Sequence, residues 1–229
     1  MQKENETCEN CEKVKSGNTL THCNQGNRED VAFIFSCPGE KECCLKRPVV
    51  GETGKNLDEL IERLIESGVV TCKENHIASC NKICRYDFRI TNSWKNVESF
   101  KQTGRSEAKI KEVKGDENLE RLFGDLEGIE INCKIFCFGK KAKIAIKELS
   151  KKESFKEGDY KIIYLPHLGL QSINQIKVEG KNSKERKKSR ISKIVECAKH
   201  QIEDICYEEK CDLKEFHPCV RITPKEFNQ

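Results

Sequence analysis

The sequence predicts an α/β fold, a three-layer α-β-α arrangement around a central, mostly parallel sheet of four strands. Short apolar runs alternate along the chain with stretches that have the period of an amphipathic helix. A turn follows each run, and Pro or Gly lies in the turn after 31–35, 134–138 and 161–165. The cysteine-rich segments at both ends have no apolar period, so we expect them to be appendages of the fold.

Each predicted element corresponds to one such segment. The expected strands are 31–35, 76–78, 134–138 and 161–165, and the expected helices are 55–66, 119–126, 142–149 and 191–202. Residues 86–116 have no clear period, so we expect an irregular excursion over the sheet edge. Residues 1–176 are expected to form one α/β domain that includes the amino-terminal cysteine-rich segment. Residues 177–229 are expected to form a basic helix and a cysteine-rich tail packed on the same domain.

Charge and composition suit a solvated protein with an anionic partner. The 229 residues are 36% hydrophobic and 35% charged, with a net charge of +4. Between Lys181 and Lys193 there are seven Lys or Arg residues against one Glu, so much of the net charge lies there. Such a segment is either a solvated helix face or a phosphate-binding surface, and charge alone leaves both interpretations open.

Cysteine usage points to metal binding. No apolar segment near the amino terminus is typical of a signal peptide or a membrane span, so we expect a cytoplasmic protein with no membrane partner. In a reducing compartment, the fifteen cysteines are metal ligands or core residues more often than disulfides. Cys8-x-x-Cys11 favours a metal site over a disordered tail. In the carboxyl-terminal tail, a second set has the ligand types of a structural zinc site: Cys206, Cys211, His217 and Cys219.

The stretch VAFIFSCPGEKECCLKRPVVG, residues 31–51, predicts the position of the functional site. Its apolar start is typical of a strand buried on both faces, and Pro38 and Gly39 then end that strand. In open α/β sheets, ligands bind beyond the carboxyl ends of the parallel strands. We therefore expect a ligand site at this turn.

Four collinear segments resemble the uracil-DNA glycosylase superfamily, and they are most similar to its iron–sulfur, family 4 branch. They are FSCPGEKE, RPVVGETGKNLDELI, NCKIFCFGKKAKIAIKEL and YLPHLGLQSIN, within residues 8–175. The resemblance implies a DNA glycosylase that flips a base out of the duplex and hydrolyses its N-glycosidic bond. No lysine lies in the first turn, so strand cleavage is not expected, and we expect a monomer with DNA as its partner.

The resemblance also implies a set of site residues. The base pocket is expected to contain Ser36, Cys37, Pro38, Gly39, Val49 and Asn81, with Asn81 reading the base edge. His167 is expected to donate a hydrogen bond to the departing base, and Glu40 and Glu42 are the carboxylates nearest the turn, although Glu42 has a structural interpretation as well. The expected DNA contacts are Leu168, Leu170 and Gln171, which would wedge into the duplex, and Lys184, Lys187, Lys188 and Arg190.

A structural metal is a further implication of the resemblance. Cys8, Cys11 and Cys84 match cluster ligands of family 4, and the fourth ligand would be Cys23 or Cys80. The group would be an iron–sulfur cluster or zinc, and the ligand types are compatible with both.

Three departures from the family concern the substrate. The turn has Ser36 and Cys37 where the superfamily carries an Asp, Asn or Glu that positions water, and Val49 replaces a stacking aromatic ring. We therefore expect a modified pyrimidine bulkier than uracil, such as a hypermodified cytosine of phage DNA, which would make the protein an antiviral factor. The alternatives are a uracil-excising DNA repair glycosylase and a catalytically inactive nucleic-acid-binding module; an electron-transfer role has little support.

Overall fold

The computed structural model describes residues 19–71, 83–152, 155, 157–180 and 182–203. Its centre is one sheet of six strands in the order β1-β2-β4-β3-β5-β6. The strands are β1 (Thr19–Leu20), β2 (Cys23–Asn24), β3 (Arg28–Phe35), β4 (Phe88–Asn92), β5 (Lys134–Phe138) and β6 (Lys161–Leu165). The last four are parallel, and the two short ones are antiparallel. The predicted α/β class with a mostly parallel sheet is confirmed, whereas the predicted count of four strands is wrong.

Six of the eight helices in the described residues lie between the parallel strands, and the last two follow β6. The helices are α1 (Glu40–Leu45), α2 (Gly51–Glu66), α3 (Phe100–Thr103), α4 (Ile110–Val113), α5 (Asp116–Asp125), α6 (Gly139–Leu149), α7 (Leu170–Gln175) and α8 (Ser183–Ile202). Short 3₁₀ turns lie at Arg85–Asp87 and Glu157–Asp159. The predicted helices lie inside α2, α5, α6 and α8 to within one residue.

The sheet separates two hydrophobic cores because successive side chains of a strand point to opposite faces. On one face Phe33 and Phe35 pack with α2 and α8, and on the other Ala32 and Ile34 pack with α4, α5 and α6. Both faces of β3 are therefore covered, which explains its continuous apolar run. This layering fixes the carboxyl ends of β3, β5 and β6 at one edge of the sheet.

The second parallel strand was missed at the sequence level. β4 pairs with β3 in register from Ala32–Arg89 to Phe35–Asn92, so the expectation of an irregular segment over 86–116 is wrong at its start. The buried Arg89 donates to the carbonyl oxygens of Asp125 and Glu127, and Thr91 Oγ1 donates to Asp125 Oδ2 at 2.6 Å. One face of β4 is thus polar and hydrogen-bonded to the end of α5. For this reason β4 lacks the apolar run by which the other parallel strands were predicted. The predicted strand 76–78 lies outside the described residues.

Candidate functional site

A cavity of about 580 Å³ opens at the carboxyl edge of the parallel strands. It lies where β3, β5 and β6 end, and α6 forms one wall. Its lining consists of Ser36, Glu107, Gly139, Lys140, Lys143, Ile144, Lys147, Tyr164, Leu165, His167 and Ser172. Ligand pockets in proteins span about 300–1,000 Å³. The cavity lies at the edge where the sequence predicts the site, and it includes the predicted residues Ser36 and His167.

His167 presents one ring nitrogen as a hydrogen-bond donor. The backbone N–H of Gly169 donates to Nδ1 of His167 at 2.9 Å, so in the neutral ring the proton is on Nε2. Burial lowers the pKa of His167, which favours that neutral ring at physiological pH. A Cβ at position 169 would lie 2.9 Å from Nδ1. Gly169 therefore leaves room for the contact that fixes the tautomer.

The first turn contains a thiol but no carboxylate. Ser36 is buried, and its carbonyl oxygen accepts from Ser93 Oγ at 2.7 Å and from the backbone N–H of Trp94 at 3.0 Å. Burial raises the pKa of Cys37 to about 11. Its side chain is thus a neutral thiol at physiological pH, and it is not poised as a thiolate nucleophile.

The loop of residues 98–109 covers this turn and is anchored by a buried carboxylate. The backbone N–H of Glu98 donates to the carbonyl oxygen of Pro38 at 2.9 Å. Its carboxylate accepts from Trp94 Nε1 at 3.0 Å and from Arg105 Nε at 2.6 Å. Arg105 also contacts Glu112 at 2.9 Å. The hydrogen bond from Arg105 is the main reason why the pKa of Glu98 is lowered. This ion pair fixes the loop over the turn.

Glu107 lines the cavity, although no pattern in the sequence predicted it as a site residue. The neighbouring Ala108 is buried, and Cys37 Sγ lies 3.8 Å from the carbonyl oxygen of Ser106. Glu107 therefore sits beside the turn at 36–37, and it is the one carboxylate among the described residues that line the cavity. No sequence motif marks it, because its position depends on the Arg105–Glu98 contact.

The two carboxylates expected near the turn lie elsewhere. Glu42 accepts from the backbone N–H groups of Gly39 at 3.1 Å and Val50 at 3.0 Å. Both of its oxygens thus tie the first turn to the start of α2, which is the structural interpretation. Glu40 is exposed on α1 and is not among the residues that line the cavity.

Other predicted pocket residues support the turn without lining the cavity. Pro38 is buried and Gly39 precedes α1. Val49 is 3% exposed, belongs to the hydrophobic core, and has a positive φ of 52°. That backbone conformation is strained for a β-branched residue. Arg85 Nη1 holds it by donating to the carbonyl oxygen of Val49 at 2.9 Å.

An asparagine does end the second parallel strand, at position 92. Asn92 is buried, pairs with Phe35 in the sheet, and donates from Nδ2 to the carbonyl oxygen of His22 at 3.2 Å. The residue predicted for this role, Asn81, lies outside the described residues. The choice of Asn81 depended on placing the second strand at 76–78, whereas the sheet uses Phe88–Asn92.

The predicted DNA contacts are divided between core and surface. Leu168 is fully buried in the core, so the expectation that it wedges into a duplex is wrong for this conformation. Leu170 is 52% exposed and Gln171 is exposed at the start of α7.

The basic start of α8 faces acidic residues of α2. Lys184, Lys187 and Lys188 share a surface depression with Asp58, Glu59, Glu62 and Glu66. Lys187 Nζ lies 3.5 Å from Glu59 Oε2, and Arg190 Nη1 donates to Asn174 Oδ1 at 2.6 Å. Part of the charge predicted to contact phosphate is therefore engaged within the protein.

Lysines of α6 carry a second concentration of positive charge. Lys143 Nζ and Lys147 Nζ lie 5.1 Å and 5.9 Å from the centroid of the Tyr164 ring. Burial, followed by the charge of Lys147, lowers the pKa of Lys143. Lys140 lines the same cavity one turn earlier in the helix.

The predicted metal ligands are only partly within the described residues. Cys84 is partly buried, whereas Cys8, Cys11, Cys80, Cys206, Cys211, His217 and Cys219 lie outside those residues. Cys23 is opposite Thr91 in the sheet, and Cys84 precedes the other end of β4. At about 3.3 Å per residue, three residues of strand separate these ends by about 10 Å. Thiolates of one zinc lie at about 2.3 Å from the ion. Cys23 and Cys84 thus lie toward opposite ends of β4.

Burial also keeps Cys23 a neutral thiol at physiological pH. It raises the pKa of Cys23 to about 12, and the charge of Asp125 acts in the same direction. Across the described part of the chain, no group of three or more His, Cys, Asp or Glu side chains is arranged to hold a metal ion. A cluster with Cys84 would thus draw its other ligands from cysteines beyond these residues.

Comparisons with known proteins leave the family open. The chain matches no protein-family model, and no curated protein sequence matches it. Within the described residues, no helix has both the length and the apolar character needed to cross a membrane.

Proposed function

We propose that this protein is a monofunctional DNA glycosylase that hydrolyses the N-glycosidic bond of a flipped, modified pyrimidine. The observation that carries the proposal is His167, which lines the cavity at the carboxyl edge of the sheet and accepts at Nδ1 from Gly169, so that Nε2–H is the donor of the neutral ring. Negative charge develops on the departing base as the bond to the sugar breaks. A fixed neutral donor stabilises that charge in the transition state more than in the ground state.

Glu107 is the residue that supplies a carboxylate to this reaction. The sugar acquires oxocarbenium character, and a water must be positioned and deprotonated as it attacks C1′. Since Glu42 is engaged with backbone N–H groups and Glu40 lies outside the cavity, Glu107 replaces the carboxylate that the turn at Ser36 and Cys37 lacks. The proton of the water passes to the carboxylate, and the base leaves as an anion stabilised by His167.

The size of the cavity allows a substrate larger than uracil. Its volume of about 580 Å³ exceeds the space that an unsubstituted pyrimidine fills. A substituted cytosine, such as a hypermodified cytosine of phage DNA, is the class that we propose, with antiviral defence as the corresponding role. Uracil excision in DNA repair is the alternative activity.

The test is release of free base from oligonucleotides that each contain one modified pyrimidine or uracil, with the product identified by mass. His167→Ala is expected to lower the single-turnover rate by about 10²–10³, and Glu107→Gln by about 10²–10⁴. The matched control is Glu120→Gln, an exposed carboxylate on α5, with an unchanged rate. Release of uracil alone contradicts the proposed substrate class.

The second candidate is a nucleic-acid-binding module that has lost catalysis. The absence of a carboxylate in the turn at 36–37 favours it. DNA binding by the wild type with no base released from any oligonucleotide would establish this module and reject the glycosylase.

A further inference from the structure

We propose that Lys143, Lys147 and the ring of Tyr164 form a binding subsite for a phosphodiester group of a DNA strand. Tyr164 is 3% exposed and therefore forms a fixed platform, and both ammonium groups lie within 6 Å of its ring centroid. An aromatic face attracts one cation. A second cation at the same ring repels the first, and an anion bound between the two ammonium groups would relieve that repulsion.

Neighbouring lysines show how this protein pairs its charges elsewhere. Lys114 and Lys151 both contact Glu148, at 2.7 Å and 2.9 Å, and Lys152 contacts Asp116 at 2.9 Å. For Lys143 and Lys147, the described residues place no carboxylate within ion-pair distance. Lys143 and Lys147 thus differ from these three lysines, each of which has a carboxylate partner.

The partial burial of Lys143 adds to the electrostatic strain of this arrangement. Desolvation and the charge of Lys147 both disfavour its charged form. A phosphate oxygen would provide the opposite charge and accept hydrogen bonds from both ammonium groups. An anionic ligand would therefore relieve a repulsion that no carboxylate of the described residues compensates at ion-pair distance.

The position of the subsite identifies the source of the phosphate. Lys143 and Lys147 line the same cavity as His167 and Ser36. We therefore assign the phosphate to the nucleotide whose base contacts His167. Naming DNA as the source rests on the proposed function, whereas phosphate binding itself requires no base release.

Binding of a short, labelled single-stranded DNA, measured by fluorescence anisotropy over a series of salt concentrations, tests the subsite. The double variant Lys143→Gln/Lys147→Gln is expected to bind about tenfold more weakly. The slope of log K against the logarithm of the salt concentration is negative, and its magnitude is expected to decrease by about 1.4. Each lost phosphate contact to a single strand reduces that magnitude by about 0.7. Lys143→Arg/Lys147→Arg retains both charges and is expected to bind nearly as well as the wild type.

The matched control is Lys134→Gln/Lys141→Gln, which removes two charges from β5 and α6 outside the cavity. Equal weakening by the two Gln double variants would show a general charge effect and overturn the subsite. So would unchanged binding by Lys143→Gln/Lys147→Gln. Thermal unfolding is expected to show no loss of stability in that variant, because it removes a repulsive pair.

Competition with a deoxynucleoside monophosphate distinguishes two sources of the bound phosphate, a DNA strand and a free nucleotide. We expect the mononucleotide at equal concentration to leave the DNA bound. Displacement of DNA by the mononucleotide from the wild type would assign the subsite to a free nucleotide and overturn the assignment to a strand. If base release fails while the lysine-dependent binding persists, the proposed catalysis is rejected and the subsite stands.

Discussion

At the scale of single residues, the site depends on hydrogen bonds that fix protonation states. The backbone N–H of Gly169 defines which nitrogen of His167 is the donor, and burial keeps the ring neutral. Glu42 shows the opposite case, since both of its oxygens accept from backbone N–H groups. Proximity in sequence to the turn therefore does not decide which carboxylate lines the cavity.

The lowered pKa of His167 predicts the pH dependence of base release and of stability. We expect the single-turnover rate to stay constant as the pH falls through the ordinary histidine range, about 6.5, and to decline only below it. Over the same range the unfolded chain gains a proton that the folded protein excludes, so the contribution of this residue to stability decreases. Single-turnover rates of the wild type as a function of pH check the first effect. Urea unfolding of the wild type and His167→Gln over the same pH range checks the second. A rate that falls in step with ordinary histidine protonation would contradict this assignment.

At the scale of elements, the loop over the first turn completes the cavity. Residues 98–109 connect β4 to α4, and the Glu98–Arg105 ion pair holds them against Pro38. The side chain of Glu98 is 1% exposed whereas that of Arg105 is 27% exposed. The buried partner is the carboxylate, and its ionised form is the one that accepts the hydrogen bonds from Arg105 and Trp94.

The lowered pKa of Glu98 makes the stability of this loop pH-dependent. Its contribution is fully present above the ordinary carboxyl range and is lost as the pH falls through the lowered pKa. Glu98→Gln is expected to lower the free energy of unfolding by about 1–3 kcal/mol at neutral pH and by less near about pH 3. Urea unfolding of wild type, Glu98→Gln and the exposed control Glu120→Gln measures this. A deficit of the same size at both pH values would exclude the ion pair as its source.

At the scale of the whole molecule, the sheet brings together residues that are distant in the chain. Ser36, Glu107 and His167 come from three different connections and meet at one cavity. The same sheet keeps Cys23 and Cys84 apart, because β2 and β4 are antiparallel and the two cysteines lie toward opposite ends of β4. Topology thus assembles the cavity and separates two of the predicted metal ligands.

This separation predicts which cysteine affects metal content. If Cys84 joins Cys8 and Cys11 in an iron–sulfur or zinc site, Cys84→Ser is expected to lose bound metal, and Cys23→Ser is expected to retain it. Elemental analysis of the purified proteins and visible absorption for a cluster provide the measurement, and base release is not needed. Loss of metal from Cys23→Ser with retention by Cys84→Ser would reverse the assignment.

The sequence by itself determined the α/β class, because strands buried on both faces require continuous apolar runs, as in β3, β5 and β6. It also located the edge of the sheet at which Ser36 and His167 meet, since the turns after parallel strands lie at one edge. Only the tertiary structure decided that β4 is a strand, because its polar side chains bond to the distant end of α5. It likewise decided the positions of Glu107, Leu168 and Val49, which depend on long-range packing and ion pairs that local pattern does not encode.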